Sequence, residues 1–401
     1  MSGIVIIGAG EAGTRAAFAL REAEYGGAIA MVGTEPNMPY ERPPLSKPLD
    51  GAVQMKAICS AEALDAAGIE YFPGKSVSWI DPHERRVVLS DGQALAYDKL
   101  LLATGARPRQ LCCPGAERAL DFRTFADAST IFSRVESART VAIIGGGLIG
   151  MELAAVLRGK GVAVNIVEAA SRPLGRAVPA RFAQSLHARH VEEGAGFYLG
   201  QGVAEVRSDS VVLADGKLVP ADIVVAAIGV VPNIELAQAA GLATDNGILT
   251  DSFLRTSDRH IFAAGDCAAV AQPGGGHVRF ESWRNARNQA ETAARNMCGA
   301  NETFAAMPWF WSDQYDLGLQ VAGVPQPGHQ IVLRSLDAGV LEFYLEAGRL
   351  VAAAGLGTGN SLAKEIKLAE LLIMAGVSPD PADLEDPAIN LKTLLKTARA
   401  A

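Results

Sequence analysis

Two stretches decide how this chain folds: IVIIGAGEAG at residues 4–13 and VAIIGGGLIG at residues 141–150. Each is an apolar, β-branched run that closes on a Gly-x-Gly-x-x-Gly turn. The glycines are Gly8, Gly10 and Gly13 in the first copy and Gly145, Gly147 and Gly150 in the second. A segment with helical apolar spacing follows each turn, TRAAFALREAE and MELAAVLRGKG. A second short apolar run then ends on an acid: AIAMVG before Glu35, and VAVNIVE closing on Glu168. Glycine turns are common, so one such triplet alone says little. Here each copy brings its strand, its helix and an acid about 20 residues on, which together make a dinucleotide-binding unit. The spacing has a physical cause. The first glycine makes the tight turn, the second lets the backbone approach a pyrophosphate, and the third lets helix pack on strand. The helix N-terminus offers amide donors and a positive dipole end to the phosphates, and the acid accepts the ribose hydroxyls.

The repetition extends downstream. VVLSDGQALAYDKLLLATG (87–105) places Asp91-Gly92 between two apolar runs and ends at Gly105; VVLADGKLVPADIVVAAIG (211–229) does the same with Asp215-Gly216 and Gly229. Asp-Gly between alternating runs favours a tight hairpin. Two nucleotide modules, each with its own hairpin, imply two nucleotides in one enzyme, an arrangement suited to electron transfer between them. The expected fold is α/β, with two Rossmann-like dinucleotide-binding domains and a small α+β C-terminal domain.

Composition agrees. A chain of 401 residues is too long for one ordinary core, so two or three domains are expected. A hydrophobic share of 49% with 42 glycines suits a packed α/β protein rather than a disordered one. The net charge of −8 argues against nucleic acid as a partner, because phosphate binding needs a basic face. The five cysteines have no metal-ligand spacing: Cys112 and Cys113 adjoin, while Cys59, Cys267 and Cys298 are scattered. The chain opens MSGIVIIGAG, a strand running into a turn and not a secretory leader. No run approaches the roughly 20 apolar residues of a membrane helix. A cytoplasmic protein without a membrane partner is expected.

With these features in place, the chain resembles the glutathione-reductase-type flavoproteins, whose first module holds FAD and whose second holds NAD(P)H. TSDRHIFAAGDCA (256–268) is similar to their second FAD motif, which implies that Gly265 and Asp266 meet the ribityl and phosphate end. ATGARP (103–108), with Thr104 and Gly105, and AIGVVPN (227–233), with Gly229, match the segments where such chains cross between domains. The implied borders are 1–110 and 241–323 for a discontinuous FAD domain, 111–240 for the NAD domain and 324–401 for the C-terminal domain. Glu168 favours NADH, since a carboxylate that accepts the ribose 2′-hydroxyl repels a 2′-phosphate. Arg172 and Arg176 in SRPLGR would soften that preference, and the resemblance gives an arginine there, Arg176, to the adenosine part of NADH.

What the electrons reach is written in PYERPPLSK (39–47), shortly after Glu35. Disulfide reductases of this superfamily carry a Cys-x4-Cys pair in this region, and NADH oxidases and peroxidases a single cysteine; here there is none. VGTEPNMPYERPPLSK (32–47), FESWRNARNQAETAARNM (280–297) and MPWFWSDQYDLGLQVAG (307–323) resemble the NADH-dependent ferredoxin reductases of bacterial oxygenase systems. The resemblance spans nearly the whole chain and weakens beyond about residue 325. There HQIVLRSLDAGVLEFYLEAGRLVAAAGLG reads as an antiparallel sheet and SLAKEIKLAELLIMAG as an amphipathic helix.

The resemblance implies the site. Arg42 and Lys47 are the cations of the hook, whose prolines would pre-set an extended backbone. Lys47 falls beside the flavin ring, where it would favour a reduced, anionic flavin. Glu152 falls against Lys47 and the nicotinamide amide, although an acid near a helix start also benefits from the dipole alone. Trp311 falls near the flavin where ferredoxin docks, although WFW equally suits core packing. Trp283 and Trp309 are lesser candidates for that place, and Glu281 falls at the flavin's edge. The implied activity is an FAD-dependent NADH:ferredoxin reductase that passes single electrons to a [2Fe-2S] ferredoxin serving a Rieske dioxygenase or cytochrome P450. Ferredoxins are acidic, so Arg284, Arg287 and Arg295 on one helix form a candidate docking face; a solvated helix face is the alternative. A monomer or weak dimer is expected. Rival readings are a flavoenzyme with a small-molecule acceptor, a rubredoxin reductase, and a redox-sensing interaction protein like apoptosis-inducing factor.

Overall fold

The first apolar run, Gly3–Ile7, is buried along its whole length and lies between Ile29–Gly33 and Ala94–Leu102, parallel to both. A strand covered on both faces has no polar side to alternate with, so its sequence reads as an unbroken apolar run. Ile69–Pro73 and Ile261–Ala263 extend this parallel sheet at its two sides. The N-terminal part of Ala94–Leu102 leaves it as an antiparallel ribbon with Arg86–Leu89 and Val77–Asp81. That ribbon turns at Asp91-Gly92, where Gly92 has φ +88°. Helix Glu11–Glu22 packs on helix Trp283–Met297 through small side chains, Ala12, Ala16 and Ala19 with Ala286, Ala290 and Ala293, in one buried cluster. In this computed structural model the described residues are 3–48, 52–175, 178–305 and 307–400.

The second fingerprint strand, Thr140–Ile144, repeats the plan. It is flanked in parallel by Ala163–Glu168 and Ile223–Ala226, with Gly196–Leu199 and Leu120–Asp121 outermost. The second hairpin turns at Asp215-Gly216, with Gly216 at φ +87°, inside the sheet of Val203–Val206, Ser210–Leu213 and Leu218–Pro220.

The C-terminal sheet is antiparallel, in the order Trp309–Gln314, Leu317–Gly323, Arg349–Thr358, Gly339–Glu346, Gln330–Leu336. Helices Ala363–Met374 and Leu391–Ala400 contribute Ile366, Ala369, Leu372, Leu391 and Leu395 to its core. Strand pairing therefore places residues 309–323 in the C-terminal sheet, whereas the sequence expectation ended the FAD domain at 323. The cause is the run of backbone bonds from Trp309–Gln314 to Leu317–Gly323 and on to Arg349–Thr358.

The chain divides into two compact units: Met1–Pro44, Gln54–Arg107 and Val230–Ala306 form one, and Leu45–Val53, Pro108–Gly229 and Met307–Ala401 the other. In the first unit, Thr104 Oγ1 donates to Asn233 O (2.7 Å), Asn233 Nδ2 donates back to Thr104 O (2.8 Å), and Arg107 pairs with Glu235 at 2.7 Å. These bonds clasp the segment that leaves the unit to the one that returns. Among the described residues, no helix is long and apolar enough to cross a membrane.

Candidate active site

The six fingerprint glycines separate by what surrounds them. A Cβ on Gly8 (φ +111°) would sit 2.1 Å from the Ala103 carbonyl oxygen, and one on Gly13 would sit 1.7 Å from that of Gly8. In the second copy, Gly145 (φ +107°) and Gly150 face the same limits, 2.4 Å from Ala227 O and 2.2 Å from Gly145 O. The protein itself demands these four. At Gly10 and Gly147 an added Cβ meets nothing within 4 Å. Those two stand at the starts of helices Glu11–Glu22 and Leu148–Gly159, as N-caps with no side chain to bond the first amides. Uncapped first-turn amides beside free space fit a pyrophosphate.

The acids are held beside the turns. Glu168 accepts from the Gly146 amide (2.7 Å) and the Ala170 amide (2.8 Å). Glu35 accepts from Tyr40 Oη (2.5 Å) and Arg42 Nη2 (2.8 Å). An ionised carboxylate has about four acceptor positions, so both keep capacity for ribose hydroxyls. Arg42 thus serves Glu35 directly. Arg176 lies outside the described residues; Arg172 bonds the carbonyls of Gly175 and Val178.

Around the second FAD motif, Gly265 has φ +86° and donates its amide to Gln289 Oε1 at 2.8 Å. Arg279, whose side chain is 8% exposed, ties the neighbourhood together. It donates to the carbonyls of Asp266 and Asn246, both at 3.0 Å, and pairs with Glu281 at 2.7 Å. Asp266 and Glu281 are therefore linked through an arginine that no sequence pattern singled out. Trp283 opens helix Trp283–Met297, capped by Ser282, which accepts from the Asn285 amide at 3.2 Å. On that helix Arg287 pairs with Glu291 (3.0 Å), and Arg295 with Glu302 (2.6 Å). Two of the three arginines of the expected basic face thus stand beside an acid.

The hook is not extended throughout. Tyr40 makes one antiparallel bridge with Ala57, and Pro43–Ser46 then closes a 3-10 turn. Proline fixes only φ, near −65°, which a 3-10 turn shares with extended polyproline backbone, and its missing N–H costs nothing in a first turn. Ser46 and Lys47 belong to the second unit and meet its polar side chains there. Ser46 Oγ donates to Glu152 Oε2 at 2.8 Å, and Ser312 Oγ donates to Glu152 Oε1 at 2.7 Å. Lys47 pairs with Asp313, not with Glu152 as expected. It reaches Glu152 through charge alone: burial raises the Glu152 pKa, while the Lys47 cation and the two serine hydroxyls hold it down. The Lys47 ammonium also stands 5.5 Å from the Trp311 ring centroid. Trp311, half-buried, stacks on Trp309 with centroids 5.4 Å apart and rings inclined by 28°. Trp309, not Trp311, packs against the C-terminal core.

One strand supplies most of these contacts. In Trp309–Gln314, side chains alternate between faces. Trp311 and Asp313 meet Lys47. Ser312 and Gln314 point the other way into a buried polar group with His190. The structure thus brings Lys47, Glu152 and Trp311 together, and adds Ser46, Ser312, Asp313, Gln314 and His190, which the sequence did not single out. Ser312, Asp313 and Gln314 do lie in the quoted WSDQ run, so a signal was present without a role.

The geometry agrees with what the chain is similar to. Residues 2–290 match the pyridine nucleotide-disulphide oxidoreductase family, and residues 309–395 the reductase C-terminal domain. The ferredoxin–NAD(+) reductase component of the anthranilate 1,2-dioxygenase system of Burkholderia cepacia is 42% identical over 404 residues, covering 98% of each chain. Putidaredoxin reductase of Pseudomonas putida is 36% identical over 417 residues, covering 99% of this chain and 97% of its own. The reductase in the covalent putidaredoxin reductase–putidaredoxin complex superposes with a TM-score of 0.93 at 34% identity, covering 100% of this chain and 99% of that one. The chain belongs to the pyridine nucleotide-disulphide oxidoreductase family and, within it, to the ferredoxin–NAD reductases.

Proposed function

We infer that this protein is an FAD-dependent NADH:ferredoxin reductase that delivers single electrons to a [2Fe-2S] ferredoxin serving a Rieske dioxygenase or a cytochrome P450. FAD belongs to the unit of the first fingerprint and NADH to that of the second. When bound, FAD would supply the conversion of a two-electron hydride from NADH into single electrons. The chain supplies position and charge. Gly8, Gly10, Gly13 and the first amides of helix Glu11–Glu22 hold the FAD pyrophosphate, and Glu35, fixed by Tyr40 and Arg42, holds its ribose. Thr104, Gly105, Gly265 and Asp266 line the rest of that site, with Arg279 fixing the Asp266 backbone and Glu281. Gly145, Gly147, Gly150 and Glu168 hold NADH, with Gly229 at the crossing and Arg176 on the adenosine side. Glu152 accepts from the nicotinamide amide; Lys47 places a cation at the flavin, tempered by Asp313. Trp311 lies on the path to ferredoxin, and Trp283 borders the flavin. We place the protein in the cytoplasm as a monomer or weak dimer.

The observation that carries this reading is the hook. Where thiol-dependent relatives keep a redox cysteine, this chain offers Ser46 and Lys47 to Glu152 and Asp313. Such a site has no thiol at the hook to pass electrons through, which favours delivery to an acceptor outside the protein. The test is NADH-driven cytochrome c reduction by flavin-loaded protein with and without added [2Fe-2S] ferredoxin. Stimulation by ferredoxin is expected. Equal NADH consumption in air without any ferredoxin would assign a small-molecule acceptor instead.

A further inference from the structure

Five side chains of the second unit are linked head to tail and end on Glu152. Tyr315 Oη lies 3.1 Å from His190 Nδ1, and His190 Nε2 lies 2.9 Å from Gln314 Oε1. Gln314 Nε2 lies 3.1 Å from Ser312 Oγ, which lies 2.7 Å from Glu152 Oε1. His190, Gln314 and Ser312 are each 0% exposed. The donor at each link is dictated by its neighbour. Ser312 has one hydroxyl proton and receives the Gln314 amide's, so its own goes to Glu152. The Gln314 amide nitrogen only donates, so it gives to Ser312. The Gln314 carbonyl only accepts, so His190 carries its proton on Nε2. Its Nδ1 is then bare and takes the Tyr315 hydroxyl proton as a hydrogen bond. One tautomer and one direction satisfy all four links.

We propose that Tyr315, His190, Gln314 and Ser312 form a one-way chain of hydrogen-bond donors that orients the Glu152 carboxylate, making His190 and Gln314 positioning residues for hydride transfer. The proposal rests on the reading that Glu152 meets the nicotinamide amide. With Ser46 on Oε2 and Ser312 on Oε1, each oxygen is turned by one donor and keeps one acceptor site. Donors aligned in one direction polarise one another, so the last bond, to Glu152, gains from those behind it. Burial keeps both outer members in the required state across the neutral range: the His190 imidazole is pushed down to about 4 and the Tyr315 phenol up to about 12. Mere satisfaction of buried polar groups would not require that every link end on the same carboxylate.

The test joins spectroscopy to a coupling experiment on the FAD-loaded protein. Imidazole 15N resonances should show His190 as the Nε2–H tautomer near neutral pH; an Nδ1–H or doubly protonated ring overturns the chain. Gln314→Met keeps the volume and removes both bonds. It should slow stopped-flow flavin reduction by NADH about tenfold in the parent but not in a Glu152→Gln background. His190→Gln, which keeps a donor to Gln314, should retain most of the rate, and His190→Phe should not. Equal slowing in both Glu152 backgrounds, or none in the parent, overturns the positioning role. Flavin content and melting temperature, followed alongside, separate slowing from loss of fold. If Glu152→Gln alone reduces as fast as the parent, the assignment of Glu152 to the nicotinamide is what fails. The positioning role then falls with it, while the tautomer still reports whether the chain exists.

Discussion

The buried imidazole makes stability depend on acid in a way that can be calculated. Burial is the largest cause pressing the His190 pKa from 6.5 to about 4; the charges of His187 and Arg189 push the same way, and the bond to Gln314 opposes them. In the unfolded chain the ring takes a proton near 6.5, while in the folded protein it stays neutral. The unfolded state therefore binds more protons between these values, and stability falls as the pH drops through that window. At 1.36 kcal/mol per pKa unit, the loss is roughly 2 kcal/mol by about pH 5 and roughly 3 kcal/mol below about pH 4. Above about pH 7 the contribution is complete and flat. Glu152 works in the opposite direction, since its raised pKa favours the folded state on acidification. Comparison with His190→Gln cancels this, because both proteins keep Glu152. The assay is urea unfolding of the flavin-loaded protein with excess FAD, followed by tryptophan fluorescence at about pH 7.5 and about pH 5. Wild type should lose roughly 2 kcal/mol more than His190→Gln between the two. Parallel losses in the two proteins, or an imidazole that titrates near its ordinary value, would refute the reasoning.

Five further outcomes follow from the site. Lys47→Met should weaken the long-wavelength charge-transfer absorbance that develops on NADH addition, and an unchanged band would remove its role at the flavin. Asp313→Asn should do the reverse, because it frees Lys47 and removes a charge that raises the Glu152 pKa; a weaker band would contradict the geometry. Glu168→Gln should narrow the NADH preference in kcat/KM by about tenfold, or about 1.4 kcal/mol, as measured against NADPH. Gly13→Ala should cost about 1–3 kcal/mol by forcing helix from strand, seen as a lower melting temperature. Gly10→Ala, with nothing within 4 Å, should instead give folded protein that loses flavin on gel filtration.

The parts of the fold readable from sequence are those whose cause is local. Gly13 is required by the carbonyl of Gly8, five residues back, so that part of the fingerprint carries its own explanation. Asp91-Gly92 and Asp215-Gly216 mark hairpins because their glycines take φ near +88°, a conformation few other residues tolerate. The hook was legible in place but not in shape, because proline constrains φ and leaves ψ to the surroundings. The pairing of Arg287 with Glu291 was open to an i,i+4 reading, whereas Arg295 meets Glu302 only because the chain turns back after the helix. Lys47 and Asp313 are 266 positions apart, and His190 and Gln314 are 124 apart. No local pattern encodes such pairs.

The strand Trp309–Gln314 shows why the site is harder to read than the fold. Its alternation is simple, yet its two faces do different work: Trp311 and Asp313 attend Lys47, while Ser312 and Gln314 attend Glu152 and His190. A slip of one residue against Leu317–Gly323 would exchange the two sets and leave neither cation nor carboxylate with its partner. Register is therefore a functional quantity here. The antiparallel pairing from Trp309–Ala322 to Gln314–Leu317 runs without a bulge, and Leu317–Gly323 is held on its other side by Arg349–Thr358. The C-terminal sheet thus fixes, through backbone bonds alone, which side chains reach the two charged groups. Drawing the border at 309 instead of 324 assigns that control to the C-terminal sheet, and Lys47, from the other end of the chain, meets a surface which that sheet has already set.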